Sequence, residues 1–503
     1  MNRSKALSFL PVLLLAALSL ASCSGPYKPC TVNCGGGGNA TLSITLAAVP
    51  LTPPPGTSIL SFALTLSSVQ LMPSSGSVVN IPLNTASYIV DLTRLQSDSA
   101  FLGQVLANVP AATYNKITVG VTSVVVTYCT QPSPGTPGCS AGSVAQVTQA
   151  ASIPATSSFT LTLTSNQKTA VQIRFDFAKS ITISATQAQV VSKVDLTAAN
   201  VLTASALAPS STTSSLATGQ LDFVEDITGA VTAATSTSVT VRTATHGSIT
   251  ATPNSATFFS PNCTNFNFNT DISCAKVNQI ASIDVALNTD GTFTLLDYDP
   301  LDTSATDWIE GVVTSVPSSS TQFQIVANDV FQPATGSLVG TNLPIGAPVT
   351  INLATGATFG VDFRGLIVPA DASTFSSSND TTVLRSGQTV AVRVSSFTAA
   401  AGSTPASATV NFVGLRFSRV SGSVFGIAPP TSFSIQSLPP FFGETTAEIA
   451  ELNAAIVPSS APTNYDGVSD GTGLTVGDTV SIRALYFGST SAIPFTCAKV
   501  RKH

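Results

Sequence analysis

The residue types able to carry chemistry are thinly spread along this 503-residue chain. Three carboxylates cluster in Asp297-Tyr298-Asp299-Pro300-Leu301-Asp302, and two more in Tyr465-Asp466-Gly467-Val468-Ser469-Asp470-Gly471. A calcium site would need several such oxygens converging at about 2.3–2.6 Å. The plainer reading is a polar connection broken by Pro300 in the first and an Asp-Gly turn in the second. Ser165-Asn166-Gln167-Lys168 and Ser273-Cys274-Ala275-Lys276 have the spacing of an acylating serine with a lysine one helical turn on. The first lies between two strand patterns and the second closes a loop, so neither is read as catalytic. His246 has no partner evident in the sequence. It is read as a loop residue, and Arg501-Lys502-His503 as a solvated tail. Trp308, the only tryptophan, reads as a core or junction residue rather than a sugar platform. No catalytic, cofactor-binding or metal-ligating residue is assigned, and no enzyme activity is expected.

Eight cysteines fit an oxidising compartment. Cys129 and Cys139 bracket a Pro/Gly/Ser loop, and Cys263 and Cys274 an Asn-rich one, so each pair is expected to form a local disulfide. Cys30, Cys34 and Cys497 remain beside Cys23. A Cys30–Cys34 bridge would leave Cys497 free. Zinc is disfavoured, because no Cys-x-x-Cys pair exists and only His246 and His503 are available.

The elements that must position these residues are strands. Charged residues make up 9% of the chain, against about 25% in typical soluble domains. Net charge is −5 and no basic stripe appears, which argues against nucleic acid as a partner. Thr and Ser alternate with apolar residues in Thr41-Leu42-Ser43-Ile44-Thr45-Leu46, Leu60–Leu66 and Lys116–Val121. Period-two alternation predicts strands with one buried and one wet face. Thr160–Thr164 and Val171–Phe177 are expected to form a hairpin about Ser165–Lys168. Asp98–Asn108 is expected to be a short helix capped by Asp98, and Thr445-Thr446-Ala447-Glu448 to open another. Asn288-Thr289-Asp290-Gly291 reads as a hairpin turn.

The N-terminus carries Arg3 and Lys5, then an apolar run from Ala6 to Leu20, too short to span a bilayer, and ends in Leu20-Ala21-Ser22-Cys23. These four residues resemble the lipobox of bacterial lipoproteins. The resemblance implies removal of residues 1–22 and lipidation of Cys23. Ser24 in place of the Asp of inner-membrane lipoproteins implies the outer membrane. Residues 23–40, with Gly35–Gly38, read as a flexible tether.

Two further resemblances concern the body. Ile89-Val90-Asp91-Leu92, a Leu-rich segment, and Val109-Pro110-Ala111-Ala112-Thr113-Tyr114 look like domain-of-unknown-function family 4382, common at the N-terminus of bacterial lipoproteins. Ala112 stands where that family usually has Gly. Further on, Gly229-Ala230-Val231, Gly311-Val312-Val313 and Gly422-Ser423-Val424 each open a similar segment. Two of these segments carry a Gly-led later strand, at Gly387 and Gly477, and Val277-Asn278-Gln279-Ile280 stands in that place in the first. This pattern resembles the small repeated β-barrels of domain-of-unknown-function family 5666. Neither family supplies an activity.

The expected protein is therefore all-β, an antiparallel β-sandwich at residues 41–200 followed by three barrel-like modules. A linker spans 201–219, and the modules span 220–306, 307–416 and 417–503. Its expected role is a non-enzymatic, lipid-anchored cell-envelope protein, structural or binding, with a glycan or an envelope protein as partner. The alternative is a carbohydrate-binding or adhesive surface lipoprotein.

Overall fold

Alternating sequences become strands because side chains at i and i+2 share one face of a pleated ribbon. A computed structural model describes residues 39–503 apart from 51–56, 131–137, 140–142, 150–152, 185–189, 211–213, 261–262, 264–271, 273, 304–305, 317–320, 365, 367–369, 429–431, 443–447, 453–462, 489–490 and 492–493. Cys23, Cys30, Cys34 and the tether lie outside the described residues. The fold is all-β, and among the described residues its α-helices are short ones at Phe177–Ser180 and Asp371–Ser376.

The N-terminal unit has twelve strands: β1 (Asn39–Ala48), β2 (Thr57–Pro73), β3 (Val79–Ile81), β4 (Tyr88–Asp91), β5 (Ala100–Pro110), β6 (Thr113–Thr130), β7 (Val144–Gln149), β8 (Ile153–Thr162), β9 (Lys168–Phe175), β10 (Ile181–Ile183), β11 (Val191–Val194) and β12 (Leu202–Leu207). One sheet runs β12-β9-β1-β5. The other runs β3-β2-β6-β7, with β4 beside β2 and β8 beside β6. Leu42, Ile44 and Leu46 of the first sheet meet Phe62, Leu64, Val119 and Val121 of the second in a shared core.

Four expectations need correction here. β1 and β9 pair in parallel, so the sandwich is not purely antiparallel. No hairpin joins β8 to β9, because the Ser165–Gln167 turn, with Asn166 at φ 60°, carries the chain from one sheet to the other. Asp98–Asn108 is not a helix, since Ala100–Pro110 pairs antiparallel with β1. Its two faces bury against different cores: Leu102 enters the sandwich and Phe101 the next module. That two-sided burial imitates a helical run in the sequence. Finally, Leu202–Leu207 is a strand on β9, so the linker is shorter than residues 201–219.

Three barrel-like units follow, described with five, five and six strands. The first comprises β13 (Gln220–Ala234), β14 (Val239–Arg242), β15 (Ser248–Phe259), β16 (Ile280–Asn288) and β17 (Phe293–Asp302). The second comprises β18 (Trp308–Ser315), β19 (Gln322–Phe331), β20 (Pro348–Val361), β21 (Thr389–Thr398) and β22 (Ala406–Arg416). Both are closed barrels in which the third strand lies parallel to the fifth. The third comprises β23 (Ser418–Ala428), β24 (Ser432–Gln436), β25 (Glu448–Leu452), β26 (Asn464–Asp466), β27 (Thr479–Tyr486) and β28 (Phe495–Lys502). Here β25 and β26 both lie parallel to β28 and share the place of a single third strand, and the β25–β28 pairing closes the ring. Glu448 thus opens a strand and not a helix, while Thr445–Ala447 lie outside the described residues.

The repeated glycines have a common cause. A Cβ at Gly229, Gly311 or Gly422 would sit 2.1, 2.4 or 2.4 Å from a backbone oxygen of the second strand of its barrel. The later glycines serve a turn. Gly387 and Gly477 take φ 92° and 94° before the fourth strand, and Asn278 takes φ 74° in the first module. Asn is among the few side chains that tolerate that conformation.

Cys129–Cys139 and Cys263–Cys274 are disulfides, with Cα separations of 5.7 and 5.3 Å. Cys497 is a buried free thiol. The first disulfide closes a loop that docks on the modules: Cys139 N–H donates to the Thr314 carbonyl and Gly138 N–H to that of Phe441, both at 2.8 Å.

Candidate functional site: a buried ionic junction

In a chain this poor in charge, strand residues such as Asp222, Glu225, Asp284, Arg483 and Lys499 would be expected on wet faces. They are buried. The wet faces of the modules are turned against one another, and their charged residues meet at the centre of the molecule.

Asp226 is the hub. It sits at a bulge between Val224 and Ile227 with φ 56°. Its Oδ1 accepts from Arg364 Nη2 at 2.6 Å and from Arg416 Nη2 at 2.7 Å. Its Oδ2 accepts from Arg94 Nη2 at 2.7 Å and from Arg419 Nη2. Arg94 belongs to the N-terminal unit, Arg364 and Arg416 to the second module, and Arg419 to the third. One carboxylate of the first module therefore touches every other part of the structure. Burial would raise its pKa, but the guanidiniums of Arg416, Arg419, Arg364 and Arg94 outweigh that and hold it well below the usual carboxylate range.

Three arms leave the hub. Arg94 also reaches Glu310 at 3.0 Å and Asp329 at 3.2 Å. Arg416 bonds Glu310 Oε2 at 3.0 Å and also Asp362. On the second arm, Arg483 grips Asp284 with two nitrogens at 2.7 and 3.2 Å, while Lys499 pairs with Glu225. On the third, Arg501 bonds Asp466 and the Asp98 carbonyl, each at 2.7 Å, and Ser99 Oγ at 2.8 Å.

Burial pushes some carboxyls in the junction toward the protonated form. Burial, with Asp362 beside it, pushes Asp299 up to about 8. Burial raises Asp329 to about 7 against the pull of Arg94. Asp297 is raised well above its ordinary value by burial, with Arg364 opposing. Taking ions out of water costs several kcal/mol each, roughly returned when the pairing is complete; deleting one partner costs about 3–5 kcal/mol. Such a junction fixes how the parts fit more than it adds stability.

Registers show which faces meet. Asp284 pairs with Asp297 and Ser282 with Asp299 in the first module. The equivalent pairs are Arg393–Phe412 and Ala391–Gly414 in the second, and Arg483–Lys499 and Ser481–Arg501 in the third. Asp284, Arg393 and Arg483 each stand six residues after the left-handed residue, at 278, 387 and 477 respectively. The same barrel face is thus acidic in module 1, carries one arginine among aromatic and small residues in module 2, and is basic in module 3. The acidic and basic faces dock on each other. Two cavities flank Arg364: one of about 220 Å³ toward Asp297 and Arg483, and one of about 330 Å³ toward Asp299 and Trp308.

The residues singled out in the sequence fall as follows. Asp297, Asp299 and Asp302 lie within β17 and are buried, instead of forming a connection after a strand. No group of three or more His, Cys, Asp or Glu among the described residues could hold a metal ion. Asp466 serves Arg501, and Asp470 accepts from the Thr472 N–H at 2.8 Å in a turn. Asn288–Gly291 is the turn joining β16 to β17, with Gly291 at φ 83°. His246 is in a turn, but it is half-buried with its ring 5.0 Å from that of Tyr88, and desolvation and Arg94 lower its pKa to about 3. Arg501 is no solvated tail residue, being 1% exposed. Trp308 sits at the junction of the first two modules and donates from Nε1 to Asp302 at 3.0 Å. Ser165 lies in the inter-sheet turn, and Ser273 lies outside the described residues.

Arg94, Asp226, Glu310, Arg364, Arg416, Arg419 and Arg483 were not singled out by sequence reasoning. Asp226, Glu310, Arg416, Arg419 and Arg483 left one signal, a charged residue on, or at the end of, an otherwise apolar or hydroxyl-rich strand; Arg94, in a 3-10 turn, and Arg364, in the connection after β20, left none. Residues 45–192, β1 to the start of β11, match a family model described as Domain of unknown function (DUF4382). No curated protein matches the chain.

Proposed function

We propose that the protein is a lipid-anchored component of the bacterial cell envelope with a non-enzymatic binding or structural role. In this reading Cys23 holds it at the outer membrane, and residues 23–40 lift a rigid β-body off the lipid. Leu20-Ala21-Ser22-Cys23 supports the anchor, and two disulfides support an oxidising location. The three modules are read as diverged members of the repeated-barrel family 5666, a reading favoured by their common strand order and shared glycines.

The observation that carries the proposal is Asp226. Through it, four β units lock into one body whose titratable groups are spent on one another. A rigid body with an inward-facing charge set suits a platform that presents surface to a partner. The test of the anchor is Cys23→Ala in cells fed labelled palmitate. Loss of label with release or retention of an uncleaved precursor is expected; normal processing and membrane retention of the variant would overturn it. A second reading, carbohydrate binding, is favoured by the aromatic wall of the larger cavity.

A further inference from the structure

The face that is acidic in module 1 and basic in module 3 is covered in both. In module 2 the same face carries Ala391, Arg393, Phe412 and Gly414, and all but Arg393 line the cavity of about 330 Å³. This position has been cleared. Gly360 pairs with Gly414 on the neighbouring strand. A Cβ at Gly360 or Gly414 would come within 2.7 or 3.1 Å of the Phe412 ring. The distal end of the ring therefore occupies the space left by a glycine pair, and the ring is only partly buried. Trp308 meets it edge-on at 5.5 Å, and the Arg393 guanidinium lies 5.8 Å from its centroid.

The opposite wall is polar. Asp299, whose pKa burial and the neighbouring Asp362 raise, and Asp362 line it together with Arg364 and Arg416. Acidic and basic groups are balanced, so a strongly charged ligand has no advantage. What fits a flat aromatic platform facing both donors and acceptors is a neutral ring with a C–H face and an edge of hydroxyls. A pocket near 300 Å³ is at the small end for such ligands, enough for one or two rings.

We propose that this cavity, between the ends of β17, β20 and β22, binds a neutral saccharide unit stacked on Phe412, with Asp299 and Asp362 taking its hydroxyl hydrogens. The proposal rests on the binding-protein reading and gives it a ligand class and a place.

The test titrates the purified mature body, two disulfides intact, with six soluble probes: maltohexaose, cellohexaose, chitohexaose, xylohexaose, mannohexaose and galactohexaose. Binding is read by calorimetry and by saturation-transfer NMR. At least one probe should bind with a Kd on the order of 1 mM or tighter. Phe412→Ala should weaken it about tenfold or more, the loss of one stacking contact, and Phe412→Tyr should retain it. Asp299→Asn, which keeps shape and removes one acceptor, serves as the second variant. Each variant's Tm is measured so that a folding defect is not read as a binding defect. Failure of all six probes to bind the wild type overturns the site, as does binding that Phe412→Ala and Asp299→Asn both leave unchanged. If no saccharide binds while Cys23 is lipidated and cross-linking in cells yields an envelope protein, this site is refuted and the platform reading stands. If a saccharide binds at Phe412 but Cys23→Ala is processed and retained normally, the reverse holds.

Discussion

Arg483 and Asp284 occupy the same place in two related barrels and face each other across the molecule, so their coupling can be measured directly. Both are buried, with side-chain exposures of 2% and 4%. Two unit charges about 3.5 Å apart at an effective dielectric of about 20 attract by roughly 5 kcal/mol. Desolvation consumes much of this, so the pair as a whole is worth little, whereas either partner alone is costly. Asp284→Asn and Arg483→Met should each destabilise the body by about 3–5 kcal/mol. The double variant should cost less than the sum of the two by about 1.5–3 kcal/mol. Asp284 also accepts from Arg364 at 3.0 Å and from the Asp226 N–H at 2.6 Å. Those contacts are lost in both arms of the cycle and cancel. Urea unfolding followed by the fluorescence of Trp308, at the junction of modules 1 and 2, supplies the assay. Strict additivity, or a cost below about 1 kcal/mol for Arg483→Met, would refute the reasoning.

Asp226→Asn keeps the shape of the hub and removes the charge facing four guanidiniums; it should cost at least as much as Arg483→Met, and a midpoint within error of wild type in urea would contradict this. Stability should fall between about pH 6.5 and pH 8; below that window His246, whose folded pKa burial holds near 3, opposes the trend, because its neutral form contributes fully only above about pH 6.5 and the contribution is lost as pH falls. Asp98, Asp226 and Asp362 sit below the ordinary range when folded, so their contribution is full above about pH 4 and is lost as pH falls through the depressed values. Asp329 and Asp299, raised to about 7 and about 8, contribute fully below about pH 4, and the contribution is lost as pH rises through those values, at about 1.4 kcal/mol per unit for each group. A Tm that climbs from about pH 6.5 to pH 8 would count against these raised carboxyls. Replacing Cys129 and Cys139 together by Ser should cost roughly 2–3 kcal/mol and speed proteolysis between the sandwich and modules 2 and 3; unchanged proteolysis would deny the loop its docking role. In unreduced native protein, alkylation should spare Cys129, Cys139, Cys263, Cys274 and the buried Cys497, and mass mapping of modified residues checks this.

The all-β class was legible because alternation of Thr and Ser with Leu, Ile and Val is a local signal. So were the two loop-closing disulfides and the repeated glycines, each tied to a nearby backbone requirement. The junction was not legible. A charged residue at every second position, as in Asp297-x-Asp299 or Lys499-x-Arg501, reads as a wet face, and only the docking of another module makes that face dry. For the same reason β1 misled: Ser43 and Thr45 alternate with Leu42 and Ile44, yet both faces are buried, with Thr45 Oγ1 donating to Asp222 Oδ2 at 2.7 Å. β5 misled in the opposite sense, because apolar residues on both of its faces resemble a helix. Asp98, expected to cap that helix, instead faces Arg419 at 3.0 Å.

The central claim is that inward-facing charge joins four β units into one rigid body. Differential scanning calorimetry of the mature chain tests it most directly. A single transition, with calorimetric and van't Hoff enthalpies in agreement, is predicted for the wild type, splitting into separate transitions in Asp226→Asn. Independent transitions for sandwich and modules in the wild type would contradict the account.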